Sequence, residues 1–216
     1  DPHAVKVNGE LIKAQNLLLA TGSVPASLPI PGVDLPGVLS SDEILDLDKV
    51  PPRLTVVGGG VVGLEFACIF NSFGSKVEVF EYLPYLLNKL DNELARRILV
   101  FLKRQGIKVH TATRVERIEE AAGGLKLIAQ GKKGIIESQA DLVLLAAGRS
   151  PYVEGLNLDK LGIEREEDGF IKVDHNFNTN VAGIYAIGDL IGGYMLAHAA
   201  SEEGIAAVEH MAGLSP

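Results

Sequence analysis

Three glycines, at residues 58, 60 and 63, are the clearest candidates for chemistry in the chain. They follow the apolar run Leu54–Val57 and precede a helix-like stretch that begins at Val61. In this arrangement the first glycine permits a tight turn, the second lets the backbone approach a pyrophosphate, and the third allows close packing of helix on strand. The helix N-terminus then presents free amides and the positive end of its dipole. The segment therefore indicates a phosphate-binding loop, and its position between strand and helix disfavours the alternative of a glycine-rich turn without a ligand.

An acidic residue, Glu81, ends the stretch of alternating polarity at Lys76–Glu81 that follows this helix. A carboxylate at that position can accept hydrogen bonds from an adenosine ribose diol. It would also repel the 2′-phosphate of NADP, and the next residues, Tyr82–Pro84, offer no arginine to bind one. The sequence therefore predicts a preference for NAD(H). A solvated strand end is the alternative interpretation of Glu81.

A second group of candidate ligands lies near the C-terminal end of the sequence. The apolar strand Ile184–Ile187 is followed by Gly188 and a single aspartate, Asp189, and Met195–His198 leads into a helix. An aspartate at a strand tip can accept hydrogen bonds from ligand hydroxyls, and a helix start can stabilise developing negative charge. Taken alone, the aspartate fits a helix cap equally well.

Two apolar strands end in similar turns of small residues. Leu18–Gly22 is followed by Pro25, and Leu144–Gly148 is followed by Pro151. The pattern fits strands that stop where a bound ligand comes close, and it fits two ordinary strand ends equally well. Both interpretations stay open on the pattern alone.

Near-continuous apolar runs indicate a parallel sheet that is buried on both faces. They lie at residues 16–20, 54–57 and 142–146, and the alternating stretch 76–81 adds a further strand. Together with the glycine loop, these elements predict an α/β protein that contains a Rossmann-type unit.

Two helices and an insertion complete the predicted unit. The first helix follows the glycine loop and stops at Gly74, and the second spans Asn92–Gln105. The apolar faces predicted for them consist of Leu64, Ala67, Cys68 and Phe70–Phe73 in the first helix, and of Leu94, Ile98, Phe101 and Leu102 in the second. After a short strand at Ile107–His110, the pattern predicts an antiparallel β-meander with strands at Val115–Glu119, Gly124–Gln130 and Gly134–Ser138.

Composition narrows the range of partners. The chain has 216 residues and a net charge of −8 without a lysine or arginine cluster, which argues against a nucleic-acid surface. No apolar run is long enough to span a bilayer, so we expect no membrane partner. The single cysteine, Cys68, excludes an internal disulfide and fits a reducing compartment, which predicts a cytoplasmic location.

Taken together, the motifs resemble the flavin-dependent pyridine nucleotide–disulfide oxidoreductases. The resemblance rests on GGGVVGLEFA at residues 58–67, GR at 148–149, YAIGD at 185–189 and MLAH at 195–198, in this order along the chain. GLE after the loop and MLAH after the GD motif are most similar to the dihydrolipoamide dehydrogenases. In that group reduced lipoamide reduces a disulfide, electrons pass through FAD, and NAD leaves as NADH.

The resemblance implies two sets of cofactor-binding residues. Those that it assigns to NAD are Gly58, Gly59, Gly60, Val61, Val62, Gly63 and Glu81, with Val115 near the adenine and Gly148 near the nicotinamide. Those that it places beside FAD are Thr21, Gly22 and Ser23, Asp189 at the ribityl chain, and Met195, Leu196, Ala197 and His198 near the isoalloxazine ring. It also implies that Glu65 is a buried carboxylate that pairs with a lysine near the reactive nitrogen of the flavin. The alternative for Glu65 is a favourable interaction with the helix dipole.

Parts of the family pattern are absent from the sequence. The first glycine-rich loop, which binds the FAD pyrophosphate in the family, is expected upstream. The cysteine pair of the redox disulfide is missing, and Cys68, on the inner face of a helix, fits a small buried hydrophobe instead. The dimerisation domain with its His–Glu acid–base pair is missing as well. We therefore assign no catalytic residue and no metal ligand.

These matches and absences predict the middle of a larger enzyme. A partial FAD-domain segment and linker would cover residues 1–45, an NAD-binding domain 46–149, and a returning FAD-domain segment 150–216. The parent enzyme would oxidise dihydrolipoamide on a lipoyl-bearing protein. The chain alone would bind NAD(H), would not retain FAD and would be inactive.

Two alternatives remain, and one structural expectation follows. The alternatives are another NADH-linked flavoprotein disulfide reductase or NADH oxidase, and a non-catalytic nucleotide-binding module. In a partial FAD domain, the strands at Asn16–Ala20 and Ile184–Ile187 lack the sheet that they would join, and unpaired strand edges favour association. We therefore expect either a homo-oligomer or pairing of these two strands with each other.

Overall fold

A computed structural model describes residues 3–214. The chain divides into two compact units, one of residues 25–148 and the other of residues 1–24 together with 149–216. The assignment of cofactor domains to residues 1–45, 46–149 and 150–216 stays a prediction.

The described residues form fourteen strands and four α-helices. The strands are β1 (Ala4–Val7), β2 (Glu10–Lys13), β3 (Leu17–Leu19), β4 (Ser23–Pro25), β5 (Val38–Ser40), β6 (Arg53–Val57), β7 (Lys76–Phe80), β8 (Lys108–His110), β9 (Arg114–Ala121), β10 (Gly124–Gly131), β11 (Gly134–Ala140), β12 (Leu142–Leu145), β13 (Arg149–Pro151) and β14 (Ile184–Ala186). The helices are α1 (Val61–Ser72), α2 (Asn92–Arg104), α3 (Leu158–Leu161) and α4 (Ala197–Met211), and short 3-10 helices lie at Glu43–Asp46 and Gly188–Ile191.

A five-stranded parallel sheet forms the centre of the larger unit, in the order β5-β12-β6-β7-β8. Its central residues Leu54, Val56 and Leu144 are almost completely buried, because both faces are covered and apolar side chains are needed on each. Leu64 of α1 and Leu102 of α2 belong to the same core. The predicted α/β fold with a parallel sheet and a strand–glycine loop–helix unit is confirmed.

The apolar faces predicted for the two long helices are wrong in part. Phe73 lies beyond the end of α1 and is 66% exposed, and Leu94 and Phe101 of α2 are 47% and 55% exposed. The core-facing side of α2 instead carries Ala95 and Leu102. Successive residues of a helix are rotated by about 100° about its axis, so two neighbouring residues can lie on the buried and on the exposed side.

The predicted meander is confirmed. β10 pairs antiparallel with both β9 and β11, and its register shifts between Ile128 and Ala129. Leu127 and Ala129 share a core with Val143 of the parallel sheet. The meander therefore packs on the parallel sheet.

The smaller unit contains the parallel pair β3 and β14, with Leu17 opposite Ile184. The expected pairing between these two strands is thus confirmed. β1 and β2 form an antiparallel hairpin, and β4 pairs with β13. Leu19, Ile171 and Leu190 build the core of this unit. Within residues 3–214, no helix is both long and apolar enough to cross a membrane.

Candidate functional site

The glycine loop joins the end of β6 to the start of α1, and two of its glycines are required by the fold. Gly58 has a φ of 118°, and a Cβ there would overlap the carbonyl oxygen of Ala146. A Cβ at Gly63 would overlap the carbonyl oxygen of Gly58 and would lie 3.3 Å from the Ala146 Cβ. The turn and the close approach of helix to strand therefore explain these glycines without any ligand.

Gly60 differs from these two residues. Its φ is −78° with extended ψ, a conformation that any residue adopts. A Cβ built on Gly60 would have no atom of the described chain within 4 Å. Nothing in the described fold requires a glycine at this position, whereas a pyrophosphate lying close to the backbone would.

The N-terminus of α1 follows Gly60 directly and lacks a cap. No described side chain accepts a hydrogen bond from its first amides. The initial N–H groups of a helix have no intrahelical partner, and the dipole adds partial positive charge there. The amides of Val61, Val62 and Gly63 are thus suited to bind an anionic phosphate.

Glu81 follows β7 and contacts the glycine loop directly. Its Oε2 accepts a hydrogen bond from the Gly59 amide at 2.6 Å, and its Oε1 accepts one from the Leu83 amide at 2.6 Å. This role of Glu81 is not visible in the sequence, because the bonded groups are backbone amides and no side-chain pattern reports them. A carboxylate has about four lone-pair positions, so two remain to accept ribose hydroxyls.

Two further residues of the predicted NAD site lie in the same unit. Val115 is 6% exposed and packs in the core beneath the meander, so its side chain is not a free ligand surface. Gly148 is exposed with a φ of 135°, and its carbonyl accepts a hydrogen bond from the Ala26 amide at 3.1 Å.

In the smaller unit, one of the residues predicted to lie beside FAD, Ser23, contacts Asp189 directly. The Ser23 hydroxyl donates to Asp189 Oδ2 at 2.6 Å, and Arg149 Nε donates to the Ser23 hydroxyl at 2.7 Å. The Gly188 amide, directly before the aspartate, donates to Glu203 Oε2 at 2.7 Å. Neither Arg149 nor Glu203 was predicted as a site residue, since no local sequence pattern reveals the partner of either.

The turn after β3 is held by Tyr152, the residue that follows β13. The Thr21 hydroxyl donates to the Tyr152 carbonyl at 2.6 Å, and the Tyr152 amide donates to the Gly22 carbonyl at 2.8 Å. α4 begins at Ala197 with Leu196 as an N-cap that makes no side-chain hydrogen bond. Met195 is half-buried with a φ of 51°, and the residues exposed after it are Leu196, Ala197 and His198.

Glu65 requires a correction. The family resemblance implied a buried carboxylate, but within this chain Glu65 is exposed on α1, because it is rotated by about 100° from the buried Leu64. Cys68 is half-buried against the core of the larger unit, and burial raises the pKa of its thiol. This agrees with a small hydrophobe at that position.

The parallel sheet, the glycine loop between strand and helix, and the acidic residue that follows the next strand define a class: an α/β protein with Rossmann-type dinucleotide-binding architecture. The model of the pyridine nucleotide-disulphide oxidoreductase family matches residues 1–204, and the chain belongs to that family. The resemblance stated from the motifs is thereby confirmed.

Individual relatives agree with this family. The chain is 40% identical over 213 residues to the mitochondrial dihydrolipoyl dehydrogenase of Pisum sativum, covering 96% of this chain and 42% of that protein. It is 40% identical over 207 residues to a leghemoglobin reductase of Glycine max, covering 94% and 39%. The Cu(II) complex of the HOCl-induced flavoprotein disulfide reductase RclA from Escherichia coli superposes with a TM-score of 0.89 at 29% identity, covering 100% of this chain and 49% of that one. The chain thus spans less than half the length of these oxidoreductases.

Proposed function

We propose that this chain is the NAD(H)-binding part of an FAD-dependent dihydrolipoamide dehydrogenase. The observation that carries the proposal is Gly60, a glycine that the described fold itself does not require, beside the uncapped N-terminus of α1. The similarity to dihydrolipoyl dehydrogenases supports the particular enzyme. When bound, FAD would accept an electron pair and NAD⁺ would accept a hydride.

The proposed NAD site uses backbone and carboxylate groups. The α1 amides and the open space at Gly60 would hold the pyrophosphate, and the free lone pairs of Glu81 would accept the adenosine ribose hydroxyls. Only the backbone of Val115 would face the adenine, because its side chain is in the core. Gly148, at the end of the neighbouring strand, would lie near the nicotinamide.

The charge of Glu81 supports NAD(H) over NADP(H). The carboxylate would repel a 2′-phosphate, and the adjoining residues 82–84 contain no arginine or lysine to offset this repulsion. We therefore propose that NADH binds more tightly than NADPH.

On the flavin side, the proposed contacts come from the smaller unit, except that of Glu65, which belongs to the larger unit. Asp189 would accept hydrogen bonds from the ribityl chain, with Thr21–Ser23 and Met195–His198 beside the flavin. The Glu65 carboxylate is exposed in this chain, and we propose that it pairs with a lysine of the flavin site.

We propose that the 216 residues alone bind NAD(H) but neither retain FAD nor oxidise dihydrolipoamide. Dithiol oxidation in the proposed enzyme requires a pair of cysteines, and the sequence contains only Cys68. A flavin absorbance spectrum of the purified chain, or measurable lipoamide turnover, would contradict this part of the proposal.

Calorimetric titration with NADH tests the proposal. The wild-type chain should bind NADH, and Gly60→Ala should weaken binding at least about tenfold, equivalent to 1.4 kcal/mol, while thermal stability stays close to wild type. Gly204→Ala, within α4 of the other unit, is the matched control and should bind NADH normally. Absence of binding by the wild type, or normal binding by Gly60→Ala, would refute the assigned site.

The structural likeness to RclA, a flavoprotein disulfide reductase, favours a second candidate, another flavoprotein disulfide reductase. With the NAD(H) preference proposed for Glu81 this would be an NADH-linked enzyme, and an NADH oxidase belongs to the same alternative. A non-catalytic nucleotide-binding module is the third possibility. The three candidate functions are separated by measuring NADH oxidation by the full-length protein with lipoamide, with other disulfides or with oxygen as the electron acceptor. Fastest turnover with lipoamide supports our proposal, and turnover with none of the acceptors supports a module.

Location and assembly are also proposals. The single cysteine favours a reducing compartment, and we propose the cytoplasm, although the Pisum sativum relative is named as mitochondrial. Within residues 3–214, β3 pairs only with β14, which leaves the other edge of β3 unpaired and supports homo-oligomer formation, whereas residues 177–179 bond along the other edge of β14. Cell fractionation and light scattering test these two points.

A further inference from the structure

Arg149 and Ser23 form a short chain of hydrogen bonds that ends on Asp189. The Arg149 guanidinium donates through Nε to the Ser23 hydroxyl at 2.7 Å and through Nη2 to the Ser23 carbonyl at 2.8 Å. The Ser23 hydroxyl donates in turn to Asp189 Oδ2 at 2.6 Å. All three side chains are partly buried, and all three residues belong to the smaller unit.

This arrangement fixes the direction of the serine proton. A hydroxyl has one hydrogen, and because Arg149 donates to the Ser23 oxygen, that hydrogen is directed to Asp189. Arg149 Nε itself lies 4.0 Å from Asp189 Oδ2, which is beyond hydrogen-bond distance. Arg149 therefore acts on the carboxylate chiefly through the serine.

The second carboxylate oxygen stays open to a ligand. Among residues 3–214, no donor makes a hydrogen bond to Asp189 Oδ1, although the aspartate side chain is only 26% exposed. The backbone before Asp189 is anchored independently, since the Gly188 amide donates to Glu203. One carboxylate oxygen is thus held by the protein, and the other can accept a hydrogen bond from a ligand hydroxyl.

We propose that Arg149 is a positioning residue, which orients Asp189 through Ser23 to receive a ligand that carries hydroxyl groups. The inference rests on the proposed function, in which that ligand is the ribityl chain of FAD. A direct arginine–aspartate pair would occupy both carboxylate oxygens. The intervening serine holds one oxygen and leaves the other available.

The test measures FAD affinity of the full-length protein after removal and re-addition of flavin, followed by fluorescence. Ser23→Ala and Arg149→Met should each weaken FAD binding about tenfold, the effect of losing one charge-assisted hydrogen bond. Because both changes break the same chain, the double variant should bind FAD no more weakly than the weaker single variant. Ser23→Thr keeps the hydroxyl and should bind FAD as wild type does. Arg165→Met, which removes an exposed arginine paired with Asp159, is the matched control.

The outcomes separate this inference from the proposed function. If the wild-type protein binds no FAD, the proposed function fails and the inference falls with it. If wild type binds FAD and both variants bind it equally well, only the inference is overturned. Additive losses in the double variant, with parallel losses of thermal stability in the flavin-free protein, would indicate a purely structural role and would also overturn it.

Discussion

Replacement of Glu81 by glutamine tests the central interaction of the proposed NAD site. Glutamine has nearly the same shape, but only one of its two terminal atoms is an acceptor. In the wild type, each carboxylate oxygen accepts one backbone amide, from Gly59 and from Leu83. In Glu81→Gln one of these amides must face an NH₂ group. The variant therefore removes an acceptor without creating a cavity.

The expected magnitude follows from these contacts. A partly buried N–H that loses its acceptor destabilises the fold by about 1–3 kcal/mol. At about 2 kcal/mol, the melting temperature of a chain of this size should fall by about 4–8 °C. A ribose hydroxyl that loses its charged acceptor should reduce NADH affinity by about 1.5–3 kcal/mol, roughly 10- to 150-fold.

Calorimetry with NADH and thermal unfolding followed by circular dichroism measure the two effects. Glu120→Gln is the matched control, since it makes the same charge change at an exposed meander residue and should leave both quantities near wild type. If Glu81→Gln melts and binds NADH as wild type does, the reasoning about Glu81 is refuted. A lower melting temperature with unchanged NADH affinity would restrict the residue to a structural role.

Three further predictions concern the fold around the site. A hydrogen bond with His110 lowers the pKa of Glu78 to about 2 from the ordinary 4.5. The ionised Glu78 carboxylate therefore stabilises the folded chain by up to about 3 kcal/mol. This contribution is complete above pH 4.5 and is lost as the pH falls toward 2. Urea unfolding of wild type and Glu78→Gln should therefore converge over this pH range, and a constant difference would contradict the assignment. The Thr55 and Ser138 hydroxyls are buried and lie 3.1 Å apart. Thr55→Val should lower the free energy of unfolding by about 1–3 kcal/mol, because the Ser138 hydroxyl loses its partner, and the double variant with Ser138→Ala should lower it by less, both measured by urea unfolding. Gly58→Ala should lower the free energy of unfolding by at least about 2 kcal/mol in the same assay, through overlap with a carbonyl and strain at positive φ, and near-wild-type stability would exclude this strain.

The features predicted correctly from sequence are those encoded in short segments. The strand, glycine loop and helix at residues 54–72 follow one another directly, and the meander is read from hairpin turns and alternation. Such elements depend on local backbone conformation, which glycine spacing and polarity pattern record. The pairing of β3 with β14 was one of two outcomes expected from the sequence, and the structure adds that the two strands run parallel.

The features missed depend on rotation about a helix axis or on contacts between distant residues. Phe101 lies one residue from the buried Leu102, so a small error in the predicted core-facing side of α2 reversed its environment, whereas the burial of Glu65 was implied only by the family resemblance. Ser23 lies 126 positions from Arg149 and 166 from Asp189, and no local pattern reports such pairings. The same holds for Glu81, whose bonds to the amides of Gly59 and Leu83 depend on backbone geometry.

The two bonds of Glu81 also constrain how the nucleotide preference can be changed. Glu81→Ala with Tyr82→Arg would remove the repulsion of a 2′-phosphate and add a cation at an exposed position, but both amides would lose their acceptor. Arginine cannot replace that acceptor, because its guanidinium only donates. Glutamine at residue 81 removes the charge and keeps one acceptor for the loop. Glu81→Gln with Tyr82→Arg should therefore bind NADPH more tightly than the alanine combination and should melt at a higher temperature. Equal NADPH affinity and equal stability of the two double variants would show that the loop does not need the carboxylate.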